Sequence, residues 1–254
     1  MILITNDDGV QSDGIFHLVE AVRDLDEVVV VAPERERSAV SHALTLHKPL
    51  RLKEVEFRGR DVKAYMVNGT PADCVVLGIY RACREKPSLI LSGINHGPNM
   101  GSDLYYSGTL AAAVEGSLAG VSSIAFSMDA FSSLWWESAA QIAFIVTKGA
   151  IKNNLEPEVV LNVNIPNLPF EGIKGVRYTV QGRWWYKNQL EERVDPRKET
   201  YFWLSNHLEH VLGDRESDVE AVRNGYVSIT PLDYSLTRKD YLPKLISWGL
   251  SLRG

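Results

Sequence analysis

The chain has 254 residues, 45% hydrophobic and 23% charged, with a formal net charge of −5. This balance belongs to a folded globular protein and excludes disordered, fibrous and collagen-like classes. An acidic chain is a poor partner for a nucleic-acid duplex, which selects a basic face, yet it can still take a small anion beside a metal.

Met1 to Thr5 reads as a buried strand that runs at once into Asn6, Asp7 and Asp8. It lacks the basic start and longer apolar stretch of a signal peptide, and no uncharged apolar run reaches membrane-spanning length. A cytoplasmic protein without a membrane partner is expected. Gly14 to Leu25 sets Ile15, Leu18, Val19 and Val22 at the spacing of a one-sided helix. Glu27 to Ala32 and Val62 to Val67 read as strands, and Ala72 to Ala82 as a helix opened by Thr70 and Pro71. Cys74 and Cys83 form no CxxC pair and read as reduced thiols. Ser88 to Ser92 is a further buried strand, Leu110 to Ala119 a helix, and Ser122 to Ser127 a strand. Continuous apolar strands alternating with helices predict a doubly wound α/β fold, a mostly parallel sheet with helices on both faces.

Trp135 to Ile151 reads as a helix and Val159 to Ile165 as a strand ended by Pro166. From about Gly172 to Tyr226 the periodicity loosens, and pieces such as Val176 to Val180 and Tyr201 to Leu204 read as extended hairpin arms rather than another βαβ unit. Tyr226 to Thr230 is a late strand stopped by Pro231. We expect one domain over 1–254, with a core over about 1–170 and an arm and oligomerisation region over about 171–254. Trp184, Trp185, Tyr186, Tyr201, Phe202 and Trp203 concentrate in that region, and large aromatics are common interface anchors.

Ligands of doubly wound folds bind beyond the carboxyl ends of the strands, so the polar residues that follow each strand are the candidates. After the first strand comes Asn6-Asp7-Asp8-Gly9, whose residue types also make ordinary turns. Two adjacent carboxylates at a buried strand end repel each other, and a hard cation with oxygen ligands relieves the repulsion. After the second strand, Glu34-Arg35-Glu36-Arg37-Ser38 reads as a charged surface loop, with Ser38 and Ser41 as helix caps or loop hydroxyls. After Ser92 comes Gly93-Ile94-Asn95-His96-Gly97-Pro98-Asn99-Met100-Gly101, with three glycines and one proline in nine residues. Asn95 and Asn99 offer amide oxygens to a metal or amide hydrogens to a phosphate. His96 reads as an acid–base group, as a structural donor, or as a merely exposed loop residue. Tyr106-Ser107-Gly108-Thr109 immediately precedes a helix, and so reads as an N-cap or as an anion cradle.

The stretches ITNDDG (Ile4 to Gly9), APERERS (Ala32 to Ser38), GTPADC (Gly69 to Cys74), SGINHGPNMG (Ser92 to Gly101), YSGTLAAA (Tyr106 to Ala113) and GYVSITPL (Gly225 to Leu232) resemble the SurE family, the survival protein E group of 5'/3'-nucleotidases. The resemblance implies a Rossmann-like core with carboxy-terminal β-hairpin arms. It implies one divalent metal per subunit, Mg²⁺ or Mn²⁺, held at Asp7, Asp8, Ser38 and Asn95, and a phosphate cradle at Ser107, Gly108 and Thr109. Ser38 takes its role from the resemblance alone. The implied partners are a nucleoside monophosphate substrate and a second copy, in a dimer or tetramer. The reaction expected is metal-assisted attack of water on nucleoside 5'-monophosphates, with 3'-monophosphates and short polyphosphate as further candidates. Asp7 is the first candidate for the catalytic base. A nucleotide-binding module without catalysis is the alternative, and a phospho-aspartate route lacks its usual DxD spacing.

Overall fold

The computed structural model describes residues 1–130, 132, 134–212 and 215–251, without the side chains of 184–189 and 205–212. Ile2–Thr5 (β1) lies between Val28–Pro33 (β2) and Leu89–His96 (β5), parallel to both. On the β2 side the sheet continues through Arg60–Val67 (β4) to an antiparallel edge, Leu52–Phe57 (β3). On the β5 side it continues in parallel through Ser122–Asp129 (β6) and Val160–Pro166 (β7). Val227–Leu232 (β11) then pairs antiparallel to β7, and Val176–Tyr178 (β8) closes the sheet. The order is β3-β4-β2-β1-β5-β6-β7-β11-β8. The chain leaves β1 toward one side and later resumes at β5 on the other, so the strand order reverses between β1 and β5. In doubly wound sheets that reversal opens a crevice at the carboxyl ends of the two strands.

Alternation along β1 explains why both faces need helices. Ile2 and Ile4 join one buried cluster with Ile15, Leu18 and Val19 of Asp13–Val22 (α1) and Ile142 and Val146 of Trp136–Lys152 (α4). Leu3 points the other way, into a cluster with Cys74 and Val75 of Pro71–Leu77 (α2) and Ala112 of Gly108–Leu118 (α3). Each fully buried aliphatic side chain contributes roughly 1.5–3 kcal/mol. Cys74 and Cys83 are both free thiols. Among the described residues, no helix is long and apolar enough to cross a membrane.

Several boundaries differ from the sequence expectation, each for a local reason. The expected helix to Ala82 stops at Leu77 and goes on as a π turn over Gly78–Ala82. Its start is a capping box, with the Thr70 hydroxyl accepting from Asp73 N and the Asp73 carboxylate accepting from Thr70 N. β5 runs four residues past Ser92, through His96, because a register irregularity between Ser92 and Asn95 lets the strand pass Gly93 and resume pairing with β6. β11 continues through Pro231, whose missing N–H does not interrupt pairing to β7. β3 had not been expected, since Lys53, Glu54 and Glu56 are exposed on an edge strand.

The loosened segment contains a long antiparallel hairpin, Arg183–Val194 (β9) with Thr200–Leu212 (β10), as the arm reading anticipated. The rest of that segment folds back. β8 and β11 are parallel neighbours in the main sheet, joined through the hairpin and the short helix Asp218–Arg223 (α5). Strands on both sides of residue 170 therefore share one sheet. A last short helix, Leu242–Ile246 (α6), carries no buried residue.

Gly93 is required twice over. Its φ is +127°, and a Cβ there would lie 2.3 Å from the carbonyl oxygen of Phe126. Gly93→Ala should therefore destabilise the protein by about 2–3 kcal/mol, through backbone strain and overpacking together. Urea denaturation of wild type and variant measures this, and a change under about 0.5 kcal/mol, the level of an ordinary surface substitution, would contradict it.

Candidate active site at the β1–β5 crevice

The turn after β1 is built by Asn6. Its buried amide donates to Gly9 O (3.0 Å) and Ser12 Oγ (2.8 Å), and its Oδ1 accepts from Gly9 N (3.2 Å). These bonds hold Asp7 and Asp8 at the strand end and tie them to the start of α1. The loop after β2 lies against the same turn, with Val10 N donating to Pro33 O (2.9 Å) and Arg37 N to Asp7 O (2.7 Å). Ser38 is thus one residue from a direct backbone bond to Asp7. Its exposed hydroxyl donates to Glu36 Oε1 at 2.6 Å.

Asp7 is 4% exposed. The Thr109 hydroxyl donates to its Oδ1 at 2.6 Å, and α3 begins so close that a Cβ on Gly108 would lie 2.9 Å from both Cβ and Oδ2 of Asp7. Burial, and next the charge of Asp8, push the Asp7 carboxyl up to about 7, while the hydroxyl and backbone of Thr109 pull it down. The Asp8 carboxyl is also raised by burial, opposed by His96 and slightly reinforced by Glu36. His96 reaches Asp8 through its backbone N (3.4 Å) and through Nδ1 (3.3 Å). Its backbone N–H donates, while the role of its ring nitrogen follows the tautomer.

Asn95 donates its amide nitrogen to Gly97 O at 2.9 Å, which turns Oδ1 away from that carbonyl. The rest of the loop hangs on β7. Asn162 and Asn164 both donate to Asn99 O (2.9 Å each), and Asn99 donates to Ser127 Oγ at 2.8 Å. Asn99 is buried in this network rather than turned to the crevice.

The residues expected at the phosphate cradle are present at the start of α3, but two of them already have partners. Ser107 is the N-cap, and its hydroxyl accepts from Leu110 N at 3.0 Å. As an acceptor there, it keeps its own proton for another oxygen. Thr109 is fully buried, and its hydroxyl serves Asp7 rather than an outside anion. Glu36 and the Thr109–Asp7 bond were missed in the sequence. Glu36 sits in a charged run that looks like solvated surface, and a threonine two residues past an N-cap gives no sign of reaching a carboxylate 102 positions away.

Among the described residues, no three His, Cys, Asp or Glu side chains group as a metal cluster. A cation here would rest on two carboxylates and neutral oxygens, a donor set that suits Mg²⁺ or Mn²⁺ better than zinc.

The fold and this crevice define a class: a doubly wound α/β protein with a two-carboxylate centre at its switch point, facing the amino terminus of a helix. The comparisons with known proteins narrow the class. The family model described as "Survival protein SurE" matches residues 2–188. The chain is 41% identical to the 5'-nucleotidase SurE of Caldanaerobacter subterraneus subsp. tengcongensis, over 99% of this chain and 98% of that one. It is 43% identical to the 5'-nucleotidase SurE of Symbiobacterium thermophilum, over 99% of both. The crystal structure of the SurE protein from Aquifex aeolicus superposes with a TM-score of 0.86 at 40% identity, covering 98% of this chain and 99% of that one. The chain belongs to the survival protein SurE family.

The raised Asp7 makes a prediction for the metal-free protein. Below about pH 4, Asp7 is protonated folded and unfolded alike. Between there and about 7 the unfolded chain ionises first, so the folded state loses stability as the pH rises. Asp7→Asn has no such proton. In EDTA the variant should be more stable than wild type at pH 8, and the gap should close toward pH 4.5. Urea titrations at the two pH values measure it; an equal gap at both would mean that Asp7 ionises as an ordinary carboxylate.

Proposed function

We propose that the protein is a divalent-metal-dependent nucleotidase that hydrolyses nucleoside 5'-monophosphates to nucleoside and phosphate. The observation that carries this reading is the meeting of two adjacent, mutually repelling carboxylates, Asp7 buried and Asp8 partly buried, with the amino terminus of α3 at the β1–β5 crevice. A negative pair alone repels a phosphate, and a helix terminus alone only binds one. Together with a cation they suit the transfer of a phosphoryl group to water. The relatives' name, 5'-nucleotidase, supports the same reading.

Asp7 and Asp8 would hold the cation by charge, with Asn95 Oδ1 and Ser38 Oγ as neutral ligands. The Ser38 hydroxyl can ligate through an oxygen lone pair while its O–H remains directed at Glu36 Oε1. When bound, such a cation supplies charge neutralisation at the phosphoryl oxygens and a bound water of lowered pKa. The remaining roles fall to the chain itself. Ser107 donates its hydroxyl proton to the substrate phosphate. Gly108 leaves room for the approach, since any side chain there would strike Asp7. Thr109 orients Asp7 through its 2.6 Å bond and adds its place in the first turn of α3 to the anion site. Asp7 takes the proton of the attacking water.

Phosphate release from AMP should need added Mg²⁺ or Mn²⁺ and vanish in EDTA. Asp7→Asn and Asp8→Asn should each lose most of the activity, and excess metal should restore little, because an amide keeps the shape of the ligand without its charge. Full activity and ordinary calorimetric metal binding in Asp8→Asn would sink the assignment.

We also propose one domain over 1–254 that acts in the cytoplasm and assembles into a dimer or tetramer. Tyr201, Phe202 and Trp203 on β10 are exposed, and so are Leu236, Ile246 and Trp248 in the carboxy-terminal tail; the side chains of Trp184, Trp185 and Tyr186 lie outside the described residues. Apolar side chains so concentrated outside the core suit a contact with a second copy. Light scattering at micromolar concentration should give a dimer or tetramer, and removing residues 233–254 should lower the order of assembly. A monomer from the full chain would refute this.

A further inference from the structure

The connection between β2 and β3, from Glu34 to Arg51, contains no helix or strand. It is nonetheless held along its middle by bonds to three other elements. The Ser41 hydroxyl donates to Tyr105 O at 2.7 Å, and Ser41 N donates to Tyr106 O at 3.1 Å. His42 Nε2 lies 2.7 Å from Glu115 Oε2 on α3. Thr70 Oγ1 donates to Ala43 O at 2.7 Å, and Thr45 N to Asp73 Oδ1 at 2.9 Å, both at the capped start of α2.

Ser41 is unusual within this set. Its φ is +56°, and that of Ala39 is +55°, a left-handed conformation uncommon for residues with a side chain. Such backbone persists where the surroundings over-determine it. Here the left-handed turn lets one residue present its N–H and its hydroxyl to two consecutive carbonyls. Those carbonyls belong to the two residues before Ser107, the N-cap of α3. Three residues before Ser41 stands Ser38, whose hydroxyl bonds Glu36 beside the Asp7–Asp8 turn. Ser41 therefore bridges the loop of the metal side to the loop of the phosphate side. No other described bond joins residues 38–41 to residues 105–107.

We propose that Ser41 is a positioning residue, whose hydroxyl sets the Ser38 loop against the Ser107 turn so that the metal half and the phosphate half of the site are aligned. This rests on the nucleotidase reading. The Asn6 turn places Asp7 and Asp8, the α3 terminus places Ser107, and these two meet directly at the Thr109–Asp7 bond; the Ser38 loop is the part that Ser41 ties to the turn of Ser107. Removing the Ser41 hydroxyl should leave the Asp7–Thr109 contact intact and disturb only how the Ser38 loop sits against the Ser107 turn.

The test uses Ser41→Ala and Ser41→Gly in the full chain. Glycine relieves the left-handed backbone, so its variant should melt at or above the wild-type temperature. Calorimetry should find Mn²⁺ alone and inorganic phosphate alone bound within about twofold of wild type in both variants, while the factor by which Mn²⁺ tightens phosphate binding falls at least about fivefold. With AMP, kcat should fall about tenfold in both variants while KM moves less than about threefold. A Ser41→Gly protein with wild-type kcat and wild-type Mn²⁺–phosphate linkage would overturn the proposal. So would a large loss of affinity for either ion measured singly, which would place Ser41 inside one half-site. If the wild type shows the linkage but releases no phosphate from AMP, the nucleotidase reading fails, and the linkage measurement alone then decides the role of Ser41.

Discussion

Two carboxylates on consecutive residues at the end of a buried strand are the constraint around which the crevice is organised. Neither Asp7 nor Asp8 can move away from the other, since β1 pins the chain on one side and the Asn6 turn on the other. Burial and mutual repulsion both favour the neutral acids. The surroundings oppose this with donors: the Thr109 hydroxyl and backbone on Asp7, and the His96 backbone and ring on Asp8. The opposition is incomplete, as the two raised carboxyls show. On Asp8 the charge of His96 is part of that opposition, and adjacent carboxylates of this kind favour a cation with oxygen ligands.

Two other buried carboxylates, Asp73 and Asp218, accept from backbone donors. Asp73 accepts from Thr70 N and Thr45 N and works as a cap. Asp218 is fully buried and accepts from Gly101 N, Gly182 N and Val219 N, so it joins the loop after β5, the root of the β9–β10 hairpin and α5. Each accepts from backbone N–H groups of separate segments, and burial still raises the Asp218 carboxyl. Their donors are backbone N–H groups, whereas Asp7 takes a side-chain hydroxyl and has a second carboxylate beside it.

The topology delivers the remaining groups to the pair. Because the strand order reverses between β1 and β5, the loops after these strands open on one crevice. The β2 loop joins through its backbone bond to Asp7, and α3 lies close enough for its first turn to touch the Asp7 side chain. The β5 loop is held from the far side by the asparagines of β7. The site is thus assembled from loops whose positions are set by strands and by hydrogen bonds to neighbouring loops.

Much of this was legible in the sequence. Apolar runs of strand length alternating with one-sided helices determine a doubly wound sheet, because such strands must be covered on both faces. That fold, with polar residues placed just after its strands, points to Asp7, Asp8, Asn95 and the Ser107–Thr109 turn without any coordinates. The edge strand β3, the short α5 and the parallel pairing of β8 with β11 were not legible, since exposed or brief elements carry little periodicity. Nor were the Thr109–Asp7 bond, the Ser41 bridge and the burial of Asn99. Each depends on which loops meet across the sheet, and hydrogen-bond partners 64 and 102 positions apart leave no local pattern. The sequence by itself determined which residue types stand at each strand end. Only the tertiary structure decided which of them face one another, because that depends on strand order and on the hydrogen bonds between loops.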